Sequence, residues 1–253
     1  MANKVSDVYR NLTRIYEDEA RIRVDLPENT LPLALSIELP GGYVSEVVPA
    51  GIRLPVDSTK MFSTAGSFQM AAEFNVLFGS RPLACDNYDL CRIRVRNIKW
   101  SGAGVPQIEL RFKVDEAGLI AISAANLDRN NAEILVFMAR ENISRDEIES
   151  ALTHVREHAA EDNAMRNHIQ NSLECYALIG AINDYYGVAK RKLGYRAKSE
   201  YKKARKRLQN ALQVKPADAT PRTIAELDEA TKAFREQHQK ILPAYKQVMA
   251  WYA

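Results

Sequence analysis

An α+β organisation, an antiparallel β-sandwich followed by a helical bundle, rests on three features of the sequence. From Leu31 to Ala139, short β-branched and alternating runs such as "GGYVSEVV", "EFNVLF", "CRIRVRNI", "QIELRFKV" and "LIAISAA" recur between turn signals. Near residue 140 the apolar period lengthens from about two residues to about 3.6. The change is marked by "NISRDEIESAL", a complete helix start. With 253 residues, 46% hydrophobic and 26% charged, the chain has the material for a large core and the composition of a globular protein.

Residues 1–30 are expected to stand apart from both halves. Val5, Val8, Tyr9, Leu12, Ile15 and Tyr16 share one face of a short amphipathic helix, which is marginal alone and must pack on this chain or on a partner. After it, "RIRVDLPENTLP" is extended and stiffened by Pro27 and Pro32, as a linker would be. The domains expected are therefore 1–30, 31–140 and 141–253.

In the strand half, Gly41-Gly42, Asp86-Asn87 and "DEAG" at 115–118 supply turns at the spacing of an antiparallel sandwich. Within "CRIRVRNI", Ile93 and Val95 point one way and Arg92, Arg94 and Arg96 the other, so that sheet is wet on one side. "KMFSTAGSFQMAAEF", residues 60–74, alternates, breaks at Ala65-Gly66-Ser67 and alternates again. Its second arm lines up Met70, Ala72 and Phe74 on one face, a row that serves either the core or a surface kept for another molecule.

In the helical half, Ser144 is the N-cap, Glu147 closes a capping box, and Ile143 with Ile148 forms the hydrophobic staple. Ile148, Leu152 and Val155 continue at helical spacing; Ile169, Leu173, Tyr176 and Ile179 make a second stripe after a bend. Gly187 and Gly194 weaken the next stretch, and "KPADATP" reads as a linker. Pro221 suits the first turn of a last helix with Ile224, Leu227, Thr231 and Phe234 inside, and Pro243 should end or kink it. Four or five helices are expected.

Several functional classes lose their support at this level. No stretch reaches the roughly 18 apolar residues of a membrane span, and the amino end lacks the basic head and apolar run of a leader, so a cytoplasmic chain is expected. Cys85, Cys91 and Cys175 have neither the count nor the spacing of a disulfide framework or zinc site. "HVREH", His154 to His158, matches an inverted zinc-protease helix, but a third ligand is missing and the flanks read as an ordinary polar face. With no phosphate loop and no nucleophile elbow, neither an enzyme, a cofactor nor a metal is expected. Between Lys190 and Arg207 lie ten Lys or Arg and one acid, Glu200. That run is either a solvated helix face or a contact for nucleic acid or an acidic protein. Sparse aromatics, Tyr195 and Tyr201, favour the solvated face and count against nucleic acid.

Four segments in order, "LALSIELPGGYVSEVVPAGIRLPV", "KMFSTAGSFQ", "GVPQIELRFKVDEAGLIAISA" and "ISRDEIESAL", resemble the substrate-binding portion of the 70-kDa heat-shock protein family, the DnaK-type chaperones. The resemblance runs from about Leu31 to Tyr245. It is dense through the strands and only patterned through the helices. It implies a β-sandwich that holds an extended apolar peptide under a helical lid. By matching motifs, Ile37, Phe62, Ala72, Phe74 and Ile108 would line the pocket, Leu39, Pro40 and Ala65 would arch over the peptide, and Ser63 would lie at a backbone contact.

Departures from the family are as informative. Ala72 stands for a usual valine and Phe74 for a smaller aliphatic, so the pocket is reshaped. The family's ion-pair lid latch is replaced by Ala103, Tyr176 and Gly180, and closure should be less sensitive to salt. The family's ATPase domain and its acidic linker have no counterpart in the sequence. The expected function is a non-enzymatic chaperone module for extended apolar segments of unfolded proteins, with a separate ATPase chain or co-chaperone as a further partner. The alternative is an adaptor that holds one fixed protein or nucleic-acid partner on the same scaffold.

Overall fold

"EARIRV" alternates as a strand should, and it is one. In the computed structural model, which describes residues 19–128, 133–137 and 139–250, β1 (Glu19–Val24) buries Ala20, Ile22 and Val24 and turns Arg21 and Arg23 outward. It pairs antiparallel with β8 (Leu119–Asn126) and parallel with the short β10 (Asn142–Ile143). The segment expected as a linker is thus, from Glu19 to Val24, an inner strand. The alternation decides this, because the two prolines follow the strand and do not interrupt it. The amphipathic helix expected before it lies outside the described residues.

Two five-stranded sheets face each other. One has the order β10-β1-β8-β7-β4, with β7 (Ile108–Val114) and β4 (Val56–Phe62) completing it. The other has the order β3-β2-β5-β6-β9, built from β3 (Tyr43–Val48), β2 (Leu35–Leu39), β5 (Ala71–Phe78), β6 (Tyr88–Arg96) and β9 (Glu133–Phe137). Inward residues of both, among them Ile22, Ile122 and Phe112 facing Leu35, Val76 and Ile93, form one core from which solvent is excluded. The turn expected at 115–118 depends on Gly118, whose φ is +77°; a Cβ there would stand 2.2 Å from the carbonyl oxygen of Val24.

Ser144 caps α1 (Arg145–Glu157) by accepting from the Glu147 amide, while the Glu147 carboxylate accepts from the Ser144 amide at 3.0 Å and pairs with Arg140 at 2.7 Å. These contacts, the Ser144 amide first and then Arg140, hold the Glu147 carboxyl below its usual range. Ile143 and Ile148 are both buried in the sandwich core, and Ala151, Leu152 and Val155 pack against it. The expected boundary at 140 therefore moves. α1 belongs to the sandwich, and the chain divides into compact units at Asp162 and Asn163.

The second unit, residues 163–253, contains most of α2 (Ala159–Ala189), then α3 (Tyr195–Ala211) and α4 (Pro221–Met249). Its core takes Cys175, Ile179 and Ile182 from α2, Tyr201 and Leu208 from α3, and Leu227, Phe234 and Ile241 from α4. Ile179 is inward as expected, but the turn before it presents a different position to the core. Cys175 is buried where Tyr176 was assigned, with its Sγ 3.1 Å from Thr231 Oγ1, while Leu173 and Tyr176 are exposed. Thr220 caps α4 and Pro221 occupies its first turn. Pro243 neither ends this helix nor defines its last turn, since α4 runs on to Met249. Packing offsets the lost backbone bond: Tyr245 meets Tyr185 edge to face at 4.6 Å.

Burial in this unit gives a pH prediction. His168 on α2 is buried, and loss of hydration, opposed by the charge of Asp228, holds its pKa below the ordinary 6.5. The unfolded chain takes up that proton near 6.5 and the folded one only at lower pH, so stability should decline as pH falls below 6.5. Thermal unfolding of the protein followed from pH 7.5 downward should show this slope, and His168→Gln should flatten it; an unchanged slope contradicts the assignment.

Candidate functional site

Residues 60–74 do not fold as a hairpin. Their first arm ends β4 in one sheet and their second arm begins β5 in the other, so the loop from Ser63 to Met70 bridges the mouth of the sandwich. Opposite it, β2 turns back through Leu39-Pro40-Gly41-Gly42, where φ values of +110° and +78° at the glycines exclude side chains. The ladder between β2 and β5 closes at Ile37 with Val76. Beyond that pair the strands part, leaving a groove of about 430 Å³.

Eight of the nine residues expected at a peptide site line this groove: Ile37, Leu39, Pro40, Phe62, Ser63, Ala65, Ala72 and Phe74. Ile108 does not reach it. That side chain is fully buried on β7, opposite Phe62 in the ladder, and supports the floor from below. Phe62 and Phe74 meet with ring centroids 5.4 Å apart, so the aromatic at position 74 fills part of the space beneath half-buried Ala72. Met70 departs from its expected row. It precedes β5 and is 62% exposed.

Local hydrogen bonds tie the walls together. Gly66 donates to the Gln69 side chain at 2.9 Å, Phe68 N–H to the Ser101 carbonyl at 2.7 Å, and Gly104 N–H to the Thr64 carbonyl at 3.0 Å. Phe68, held at φ +63°, packs its ring against Trp100 in a tilted contact, with centroids 4.9 Å apart. The Ser63 and Thr64 hydroxyls on one wall are buried without a hydrogen-bond partner in the protein. The rim is charged: Glu73 pairs with Arg94 at 2.6 Å, and Glu38 accepts from Asn75 at 3.0 Å. Exposed as they are, such pairs contribute about 1 kcal/mol or less, and they shape the rim more than they stabilise it.

Sequence reasoning missed two parts of this unit. Arg81, in the loop after β5, forks onto Asp162, with Nε 3.1 Å from Oδ2 and a terminal nitrogen 2.9 Å from Oδ1. Asp162 is 3% exposed. A pair 81 positions apart leaves no periodic trace, so only the rarity of a buried acid could have marked it. The second is the Phe68 and Trp100 brace, which alternation does not reveal. At the expected latch positions, Tyr176 donates its hydroxyl to the Leu212 carbonyl at 3.1 Å, and Ala103 and Gly180 are exposed. Among the described residues no His, Cys, Asp and Glu cluster could hold a metal, and His158 Nδ1 lies 3.0 Å from the His154 carbonyl of its own helix. No described helix is long and apolar enough to cross a membrane.

A two-sheet sandwich with an apolar groove at its mouth, followed by a helical unit, defines a class of protein before any comparison is made. The comparisons agree: the family profile described as Hsp70 protein matches residues 17–240, and the chain belongs to the Hsp70 family. It is 29% identical over 199 residues to the chaperone protein DnaK of Mycoplasma mycoides, covering 79% of this chain and 34% of that one. It is 33% identical over 145 residues to DnaK of Thermus thermophilus, covering 56% and 24%, and 32% identical over 139 residues to DnaK of Methanothermobacter thermautotrophicus, covering 55% and 23%. The chain thus spans about a third or less of these relatives' length.

Proposed function

We propose that this protein is a peptide-binding chaperone module that captures extended apolar segments of unfolded polypeptides in the groove between β2 and β5. The observation that carries the reading is the parting of those strands beyond Ile37, which leaves main-chain edges facing an apolar floor. Extended-peptide recognition needs those two things: backbone groups that are indifferent to sequence and a pocket that chooses one side chain. The unpartnered Ser63 and Thr64 hydroxyls support it, since buried polar groups without partners cost about 1–3 kcal/mol each and a guest main chain that reached them would relieve that. The helical unit is proposed as the lid, and an ATPase-bearing chain or co-chaperone as a second partner. The module itself acts by binding and not by catalysis.

A guest leucine buries about three more carbons than alanine, and at about 0.8 kcal/mol per buried CH₂ the preference should exceed tenfold. Fluorescence anisotropy of a labelled leucine-centred heptapeptide should therefore saturate, and the alanine-centred version should bind at least tenfold more weakly. Equal affinities, or no saturation, would overturn the assignment.

A further inference from the structure

The groove makes no use of a charge imbalance in the helical unit. Residues 163–253 hold 17 Lys and Arg against 8 Asp and Glu, a net +9, whereas the whole chain is only +3. Most of the excess lies on α3 and the turn before it. The folded helix separates its apolar residues from its cations. Tyr201 and Leu208 are buried, and Tyr201 stacks on Tyr186 at 4.0 Å. The cations occupy the remaining arc. Lys198, Lys202 and Lys206 follow one another at four-residue spacing, with Lys203 beside them.

The few acids nearby are already engaged. Glu200 takes both Arg196 at 3.0 Å and Lys240 at 3.3 Å, and Glu229 takes Arg207 at 2.8 Å. Among the described residues none forms an ion pair with Lys198, Lys202, Lys203 or Lys206. Like charges four apart on a helix are destabilising by about 0.2–0.5 kcal/mol per pair, and among the described residues no ion pair to these lysines offsets this. An external polyanion would.

We propose that the solvent face of α3 binds the phosphate backbone of double-stranded nucleic acid. Protein partners take their affinity from buried aromatic and aliphatic anchors, and on α3 Tyr201 and Leu208 are turned inward, leaving the charges and the single ring of Tyr195. The same inward packing removes the apolar face with which an amphipathic helix enters a membrane surface. Single strands bind through stacked bases, and with Tyr201 buried only Tyr195, 89% exposed, is available on α3. A duplex needs neither anchor nor stack. α3 is about 25 Å long, a length over which a duplex presents roughly fifteen charges.

The test uses the whole chain and labelled random-sequence duplexes of about 24 base pairs, one DNA and one RNA, with anisotropy read between about 50 and 200 mM salt. Binding to at least one duplex should weaken about a hundredfold over that range, as about four phosphate contacts require. Lys198→Gln, Lys202→Gln and Lys206→Gln together should lower the log–log salt slope by about three, while the three Lys→Arg changes should preserve it. The proposal is overturned by failure to bind either duplex at the lower salt or by a slope unchanged in the Gln variant. It is equally overturned by tighter binding to a single strand, to polyglutamate or to anionic phosphatidylserine vesicles.

Discussion

Ala72→Phe should abolish capture of the leucine-centred heptapeptide while leaving the sandwich folded. Ala72 lines the groove and is half-buried, and the space below it is already partly taken by the paired rings of Phe62 and Phe74. A third ring has no room to sink and must occupy the volume of the guest side chain. Overpacking of a closed core would cost about 1–3 kcal/mol, but this site opens to solvent and the new ring can tilt outward at less cost. The expected readout is therefore a loss of affinity well beyond tenfold with a nearly unchanged unfolding midpoint. Full affinity in the variant would mean that the guest does not enter here.

Arg81→Ala should produce the largest loss of stability from a single surface loop. The guanidinium is fully forked on Asp162, whose side chain is 4% exposed, and no other cation is paired with that carboxylate among the described residues. The hydrogen bonds that Arg81 donates to Asp162 are also the largest cause raising the Arg81 pKa above its ordinary value. Breaking a buried pair by removing one partner leaves an uncompensated charge, at a cost of about 3 kcal/mol. In a unit of this size that lowers the midpoint by roughly 6–12 °C. Removing Asp162 as well should restore part of the loss, because the charge left stranded goes with it. The contrast is Arg111→Ala: Arg111 and Asp57 are open to solvent, which screens their pair, and its loss should leave the unfolding midpoint nearly unchanged. Equal effects of the two arginine changes would contradict this account of Asp162.

Much of this architecture can be read from period and punctuation. Alternation marks β5 to β8, the Ser144 and Glu147 box marks the start of α1, and Pro221 marks the start of α4, because each is a local rule acting within a few residues. The misreadings share a cause in tertiary packing. β1 was hidden by the prolines behind it, though its own alternation was plain. Cys175 took the inward place from Tyr176 because Thr231 meets it there, and α4 continues past Pro243 because Tyr245 has a partner in Tyr185. At the groove, the residue types were legible through the resemblance, but their meeting depends on β4 and β5 lying in different sheets, which no local pattern encodes. Ile108 illustrates the limit: the resemblance puts it in the pocket, yet it is fully buried and is not among the residues lining the groove.

Photo-crosslinking tests the central claim most directly. A heptapeptide with a diazirine analogue of leucine at its centre would be irradiated with the protein and the adducts mapped by mass spectrometry. If the mouth of the sandwich is the site, label appears on peptides containing Ile37 to Pro40, Phe62 to Ala65 and Ala72 to Phe74, and unlabelled peptide competes it away. Label confined to the helical unit, or scattered and resistant to competition, would contradict it.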